Sequence, residues 1–345
     1  MTGPTTTHLR ASLSGRRAFL RTAGALAAGA ALGLRPAEVR GLRGAGAGGQ
    51  AGPRPGARSP APAQGHPWGR LEPVADGVWA LVSSPLAEGP DARRTLCNGG
   101  IIAGRQGVLV VEAFATMDGA AWMSDQALRL AGARPTHVVL THYHGDHATG
   151  AAGFLLSGRA PRYLATRTTR RLLSERETAL ADDATEARPL LLPDIVLPDR
   201  GEPTELDLGG RTVRLRPRRG HTLSDLVVET DGIVFAGDLV WNGMFPNYVD
   251  AIPSALARQV RALRDQDADL YVSGHGELAD GDALDRYIEL LDDVEAAARR
   301  ALAAGRPLDE AGADYAVPTG LGDWHMFSPR YPEVAFRAWE RELGD

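Results

Sequence analysis

The stretch at residues 141–150, THYHGDHATG, decides how this chain is read. It follows the apolar run 137–140 and precedes the small-residue stretch 151–154. Four metal-capable side chains, His142, His144, Asp146 and His147, fall within six residues. In an extended or tightly turning backbone, side chains two apart point the same way, so His142 and His144 can reach one ion. Adjacent residues point apart. Asp146 and His147 therefore reach a second ion only if the chain turns sharply after His144, and Gly145 offers the backbone freedom for that turn. Neither pair completes a zinc site, which takes four ligands, or three and an open position where the metal is catalytic. The missing ligands must come from downstream.

This H-x-H-x-D-H pattern at the end of a strand resembles the metallo-β-lactamase superfamily, in which a distant His, an Asp and a final His follow. The GHT of residues 220–222, after the strand-like run 212–215, matches the third histidine at His221. The FAGD of residues 235–238, ending the run 233–235, matches the bridging aspartate at Asp238. The SGHG of residues 273–276, beyond the run 269–272, matches the last histidine at His275. The resemblance extends over about residues 74–277. It implies an α/β fold, the αββα sandwich of the family, and two ions. His142, His144 and His221 would hold one, Asp146, His147 and His275 the other, and Asp238 would bridge. Glu112, at the end of the strand-like run 107–113, stands where the family carries an Asp that orients a metal-bound histidine.

The implied cofactor is Zn2+, two per chain, with iron or manganese as alternatives. Two divalent ions about 3.5–4 Å apart can share a hydroxide and polarise a carbonyl. Metal binding lowers the pKa of that water to about 7, and Asp146 would act catalytically by managing its proton. The expected activity is hydrolysis of a small molecule with an electrophilic carbonyl: a β-lactam, lactone, ester or thioester. Departures from the family narrow this little. One group of class B β-lactamases has Cys where Asp238 stands and Lys where Trp241 stands; another lacks the bridging Asp. Asp238 is similar to that of hydroxyacylglutathione hydrolases, but those hold glutathione through C-terminal basic residues, and here only Arg299 and Arg300 cluster. Two other classes compete: a single-iron oxidoreductase using His142, His144, His221 and Asp238, as in the persulfide dioxygenase branch, and a metal-binding, non-catalytic periplasmic partner.

Residues 1–40 read as an export signal. Arg16 and Arg17 precede an Ala/Gly/Leu run, 22–34, that is too short and too mildly apolar to span a membrane stably. It resembles a twin-arginine signal, a route that carries folded proteins and suits an enzyme that acquires metal before export to the periplasm or beyond. The Ala/Gly/Pro/Arg-rich residues 41–66 read as a flexible linker. Residues 67–305 form the expected catalytic domain, and 306–345 a C-terminal extension packing on it. No long apolar stretch in the body suggests a membrane span in the mature protein.

The formal net charge is −5, and removing an arginine-rich leader makes the rest more acidic, which argues against nucleic acid as a partner. Cys97 is the only cysteine, so no intrachain disulfide forms. Every Lys or Arg position is arginine, which excludes a lysine-dependent mechanism.

From about Leu71 the runs 78–83, 99–103 and 107–113 read as strands, with turns at 98–100 and 105–107. A helix over 117–130 and a strand over 136–141 complete a strand, helix, strand order. Residues 159–203 suggest a helix and a surface excursion over the cleft. Hairpins follow at 204–208 with 212–216 and at 226–230 with 233–235. Helices are expected at 253–266, 282–304 and 333–343. Trp241, Asn242, Met244, Phe245 and Tyr248, just after Asp238, are candidates to wall a substrate cleft. His325 and His137 read as structural, and His8 and His66 as lying outside the folded body.

Overall fold

The computed structural model describes residues 64–66, 68–83, 94–181 and 191–344. The expected export signal and most of the expected linker lie outside these residues. Two sheets face each other. One has eight strands in sequence order: β1 (Gln64–His66), β2 (Gly69–Ala75), β3 (Val78–Ser83), β4 (Gly99–Ala103), β5 (Val108–Val111), β6 (His137–Val139), β7 (Arg162–Thr166) and β8 (Ile195–Leu197). The other runs β13, β12, β11, β10, β9: Leu270–Gly276, Ile233–Asn242, Asp225–Thr230, Thr212–Arg218 and Thr204–Asp207.

Between the sheets lies an apolar layer supplied by alternate residues, among them Ile102, Leu109, Val111 and Val139 from the first sheet and Val213, Leu215, Val228 and Phe235 from the second. Each outer face is covered by helices. Helix α1 (Met117–Ala131), the 3-10 segment Thr149–Ser157 and α3 (Arg167–Ala181) pack on the first sheet through Met123, Phe154 and Leu173. Helices α4 (Pro253–Arg264), α5 (Gly281–Ala303), α6 (Leu308–Ala313) and α7 (Tyr331–Leu343) cover the second. This is the αββα sandwich. Each covering helix has one apolar stripe; in α5, Leu284, Tyr287, Leu291, Val294 and Ala298 recur at helical spacing and are all buried. Each such large side chain contributes about 1.5–3 kcal/mol when fully buried. Among the described residues no helix is long and apolar enough to cross a membrane.

Strands β5 to β8 pair in parallel and are joined by helical crossovers, which leaves a crevice at their carboxyl ends where ligands bind in such sheets. Several expectations are corrected here. The strand expected over 99–103 is β4, so Gly99 and Gly100 belong to it and not also to the turn placed at 98–100: a Cβ on Gly100 would run into the Phe235 ring of the facing sheet, so the residue is small because the sheets approach closely. The described residues begin with β1 at Gln64, and His66 sits on β1 with its ring stacked 4.6 Å from Trp68, inside the folded body and not outside it as expected. Within 159–203, the expected helix is α3, but β7 and β8 stand where only a surface excursion was foreseen; residues 182–190 lie outside the described ones. Helix α4 stops at Arg264, before Gln266.

Candidate metal centre

The 141–150 stretch leaves β6 and turns at once into a single helical turn, α2 (Gly145–Ala148), whose N-cap is His144. That turn swings Asp146 and His147 away from His142 and His144 by the sharp change of direction the spacing required. Gly145 has a different reason for its identity from the one expected. It is not among the residues with positive φ, but a Cβ there would lie 2.8 Å from Arg176 Nη2 and 3.0 Å from Nη1. Glycine clears space for a guanidinium from α3.

His221 follows β10 on a loop gathered by Asp225, whose carboxylate accepts from Gly220 N at 2.8 Å, Thr222 N at 3.0 Å and Thr222 Oγ1 at 2.7 Å. Burial pushes the Asp225 carboxyl up to about 7 against the pull of those donors. Asp238 and His275 were expected beyond strand ends but lie inside strands. Strand β12 continues to Asn242 because Gly237, at φ 53, absorbs an irregularity in register with β13 that aims Asp238 at the crevice. Next to His275, Gly274 leaves the room Asp238 occupies: a Cβ there would lie 2.8 Å from Asp238 N and closer still to its Oδ1.

All seven residues singled out in the sequence converge. His142, His144, His221 and Asp238 form one group that could hold an ion; Asp146, His147 and His275 form another. Asp238 faces both. Its Oδ2 is 3.2 Å from His221 Nε2 and 3.9 Å from His142 Nε2, and its Oδ1 is 3.1 Å from His147 Nε2 and 3.5 Å from His275 Nε2. Asp146 Oδ2 adds 3.1 Å to His275 Nε2 and 3.6 Å to His147 Nε2.

Outer partners fix the rings. Thr141 Oγ1 donates to Glu112 Oε1 and lies 3.0 Å from His142 Nδ1, so His142 carries its proton on Nδ1 and turns a bare Nε2 inward. Asp250 Oδ2, 3.0 Å from His144 Nε2, holds the proton there and leaves Nδ1 bare, 3.0 Å from His221 Nε2. Glu112 Oε1 lies 3.0 Å from His147 Nδ1, beside the ring as expected, although the geometry makes no hydrogen bond there. Glu112 takes this position at φ 78, a left-handed backbone that disfavours side chains and concentrates at functional sites.

The donor set fits a divalent cation. His142 Nε2, His147 Nε2 and Asp238 Oδ1 are buried and have no hydrogen-bond partner among the described residues, although buried polar atoms ordinarily find one. Burial, reinforced by His147, pushes His142 well below the ordinary histidine range, and burial lowers His221 to about 3. Burial alone would raise Asp238, but His147, His275 and His221 pull it well below the usual carboxylate range. Neutral nitrogens of His142 and His221 facing the ionised Asp238 suit a metal ion, whereas against the pull of burial Cys97, Asp238 and Glu112 raise His147 well above the ordinary histidine range and Asp238 and Asp146 raise His275 to about 9, so an ion at the second group displaces their protons.

The expected cleft residues divide. Trp241 is buried with its ring 4.2 Å from that of His275 and its Nε1 donating to Asp238 O at 3.1 Å, so it backs the centre. Asn242, half-buried, donates to Leu278 O. Phe245 and Tyr248 do not wall a cleft: at 0% and 1% exposure they are core of the helical layer, drawn in by the apolar faces of α4 and α5. Met244 is buried with them. His325 is exposed; its backbone bridges the chain after β12, donating to Gly243 O and accepting from Phe245 N. Sequence reasoning missed Asp250, Arg176, Cys97 and Phe327. Cys97 lies fully buried near His147, its thiol pushed up to about 12 by burial. None of these four carries a spacing signal; each reaches the centre through tertiary packing.

A family model described as the metallo-beta-lactamase superfamily matches residues 92–275, which contain all seven residues. No curated protein matches the chain. Solved structures with the same fold include a metallo-beta-lactamase from Pontibacter korlensis, 19% identical with a TM-score of 0.53, covering 65% of this chain and 99% of that one. A metallo-beta-lactamase from Hirschia baltica is 19% identical with a TM-score of 0.51, covering 67% and 98%. The DIM-1 metallo-beta-lactamase, in a structure exposed to ceftazidime, is 20% identical with a TM-score of 0.50, covering 65% and 97%. With two facing sheets, their helical covers, the His/Asp cluster at the strand ends and more than half of its length matched, this chain belongs to the metallo-beta-lactamase superfamily.

Proposed function

We propose that this protein is an exported metal-dependent hydrolase that takes two divalent ions, zinc by preference, and cleaves a carbonyl substrate such as a β-lactam, lactone, ester or thioester. One observation carries the reading. His144 Nδ1 and His221 Nε2 stand 3.0 Å apart within reach of Asp238, while Asp146, His147 and His275 form an equally complete second group around the other oxygen of the same carboxylate. Without an ion these two nitrogens share a single proton in a hydrogen bond, and a cation between them and Asp238 would take both as ligands.

Bound ions would supply Lewis acidity, acidifying a water and polarising the carbonyl. The chain's own groups do the rest. Asp250 and Thr141 hold His144 and His142 in the tautomers that leave ligating nitrogens bare, and Glu112 accepts from Thr141. Asp146, 24% exposed where His147 and His275 are buried, is the carboxylate placed to take and return the proton of the attacking water. The second group offers a place for a second ion, but the single-iron oxidoreductase branch can keep such residues without filling the site, so the metal count decides between them. Zinc-loaded protein should hydrolyse at least one member of a panel of β-lactams, lactones, esters and thioesters, and a chelator should abolish that turnover. A panel without turnover, beside oxygen-consuming oxidation of a persulfide, would replace this reading with the iron alternative. For export, replacing Arg16 and Arg17 by Lys should block transport of a folded reporter fused to residues 1–40; unchanged transport would refute the signal.

A further inference from the structure

The segment after α5 returns to the metal centre, well beyond the last residue matched by the family model. Two backbone hydrogen bonds fix its approach, His325 N to Gly243 O at 3.0 Å and Phe245 N to His325 O at 2.7 Å. Two residues later the Phe327 ring stands edge-on to His275, centroids 5.1 Å apart at 84°, and 6.1 Å from Trp241. Tyr331, at the start of α7, sets its ring 6.4 Å from Trp241 at 81°. Both rings are only half-buried, whereas Trp241 behind them is buried. Burial raises the Tyr331 phenol, and the carboxylates of Asp146 and Asp238 are near enough to raise it further. Its hydroxyl has no hydrogen-bond partner among the described residues; that of Tyr287 has none either but is fully buried in the helical layer, whereas Tyr331 is half-buried at the rim.

Two aromatic faces open at the rim of a buried polar centre, one of them with a free donor, form the apolar wall with few polar groups that small-molecule sites use. We infer that Phe327 and Tyr331 form a specificity subsite beside His275, which takes an aromatic group of the substrate while the Tyr331 hydroxyl donates to a polar atom next to it. The inference rests on the metal-dependent reading above and deepens it by naming the substrate class: carbonyl compounds with an aromatic ring close to the reacting bond.

The test needs no knowledge of the substrate. Full-length protein loaded with cobalt(II) is titrated with ethanethiol and with 2-phenylethanethiol, and binding is read from the visible spectrum of the metal. The phenyl compound should bind about tenfold tighter, the size expected for burying one ring against aromatic partners. Phe327→Ala and Tyr331→Ala should reduce that preference to about twofold while leaving ethanethiol affinity unchanged. Phe327→Leu keeps the packing if the alanine variant fails to fold, and should lose part of the preference. Equal preference in wild type and variants, with both thiols binding, overturns the subsite alone. A cobalt titration without a histidine and carboxylate spectrum overturns the metal reading, and the subsite falls with it.

Discussion

Gly274→Ala perturbs the centre without replacing any proposed ligand. The new Cβ would lie 2.8 Å from Asp238 N and nearer still to Oδ1, inside the 3.0 Å that real Cβ contacts essentially never cross. Neither neighbour can yield cheaply. Asp238 sits on a strand paired with β13 on one side and β11 on the other, and its carboxylate is enclosed by His147, His221 and His275. The carboxylate or the strand must therefore retreat by about 1 Å, several times the roughly 0.2 Å that metal coordination tolerates, and a displacement of that size can cost about a hundredfold in turnover. Overpacking of this kind costs about 1–3 kcal/mol, which lowers the melting temperature by several degrees. Elemental analysis of the purified variant should find metal depleted, most in the group holding Asp146, because Asp238 Oδ1 is the oxygen displaced. Gly320→Ala, with open space around it, is the control and should be silent. A Gly274→Ala protein with wild-type metal content and melting temperature would refute the placement of Asp238 against β13.

Asp225→Ala should leave the donors of Gly220 and Thr222 without their acceptor in a buried loop, at about 1–3 kcal/mol for each group left unsatisfied; a calorimetric melt unchanged within a degree would contradict this. Asp238→Ala should deplete both ions, and Asp146→Ala chiefly the second, so metal analysis of the pair should separate them; equal metal content with full activity in either variant would refute the assignment. In the metal-free protein, burial opposes protonation of His275, but Asp238 and Asp146 outweigh it and raise it to about 9. With the folded value above the ordinary 6.5, this pairing stabilises the metal-free fold fully below pH 6.5 and is lost as pH rises through about 9. Metal uptake at neutral pH must then displace that proton, and calorimetry in buffers of different ionisation enthalpy should detect its release; uptake without proton release would contradict it.

Most strands, the hairpins and the first four proposed ligands were legible because each has a local signature: alternation, a glycine-rich turn, or metal-capable residues at fixed spacing; His221, Asp238 and His275 were legible only through the family resemblance. The positions of Asp238 and His275 within strands were not, because the bulge at Gly237 that lets β12 continue depends on pairing with β13. Strands β7 and β8 were missed because they lie in the stretch 159–203, whose many charged residues read as a surface excursion. Gly145 was noticed for the wrong reason, since the guanidinium that needs its space comes from Arg176, thirty-one residues on. Aromatic residues after Asp238 were read as a cleft wall from proximity in sequence, yet Phe245 and Tyr248 turn into the core and the wall is supplied by the C-terminal tail. Asp250 shows the same limit, since only folding brings it to His144.

The claim at the centre of this account is that one buried carboxylate, Asp238, joins two metal sites. Elemental analysis of protein purified without added metal, normalised to protein by amino-acid analysis, tests it most directly. The account predicts close to two divalent ions per chain, mainly zinc, falling to none after dialysis against a chelator. A single iron per chain, with no second ion taken up on adding zinc, would contradict it.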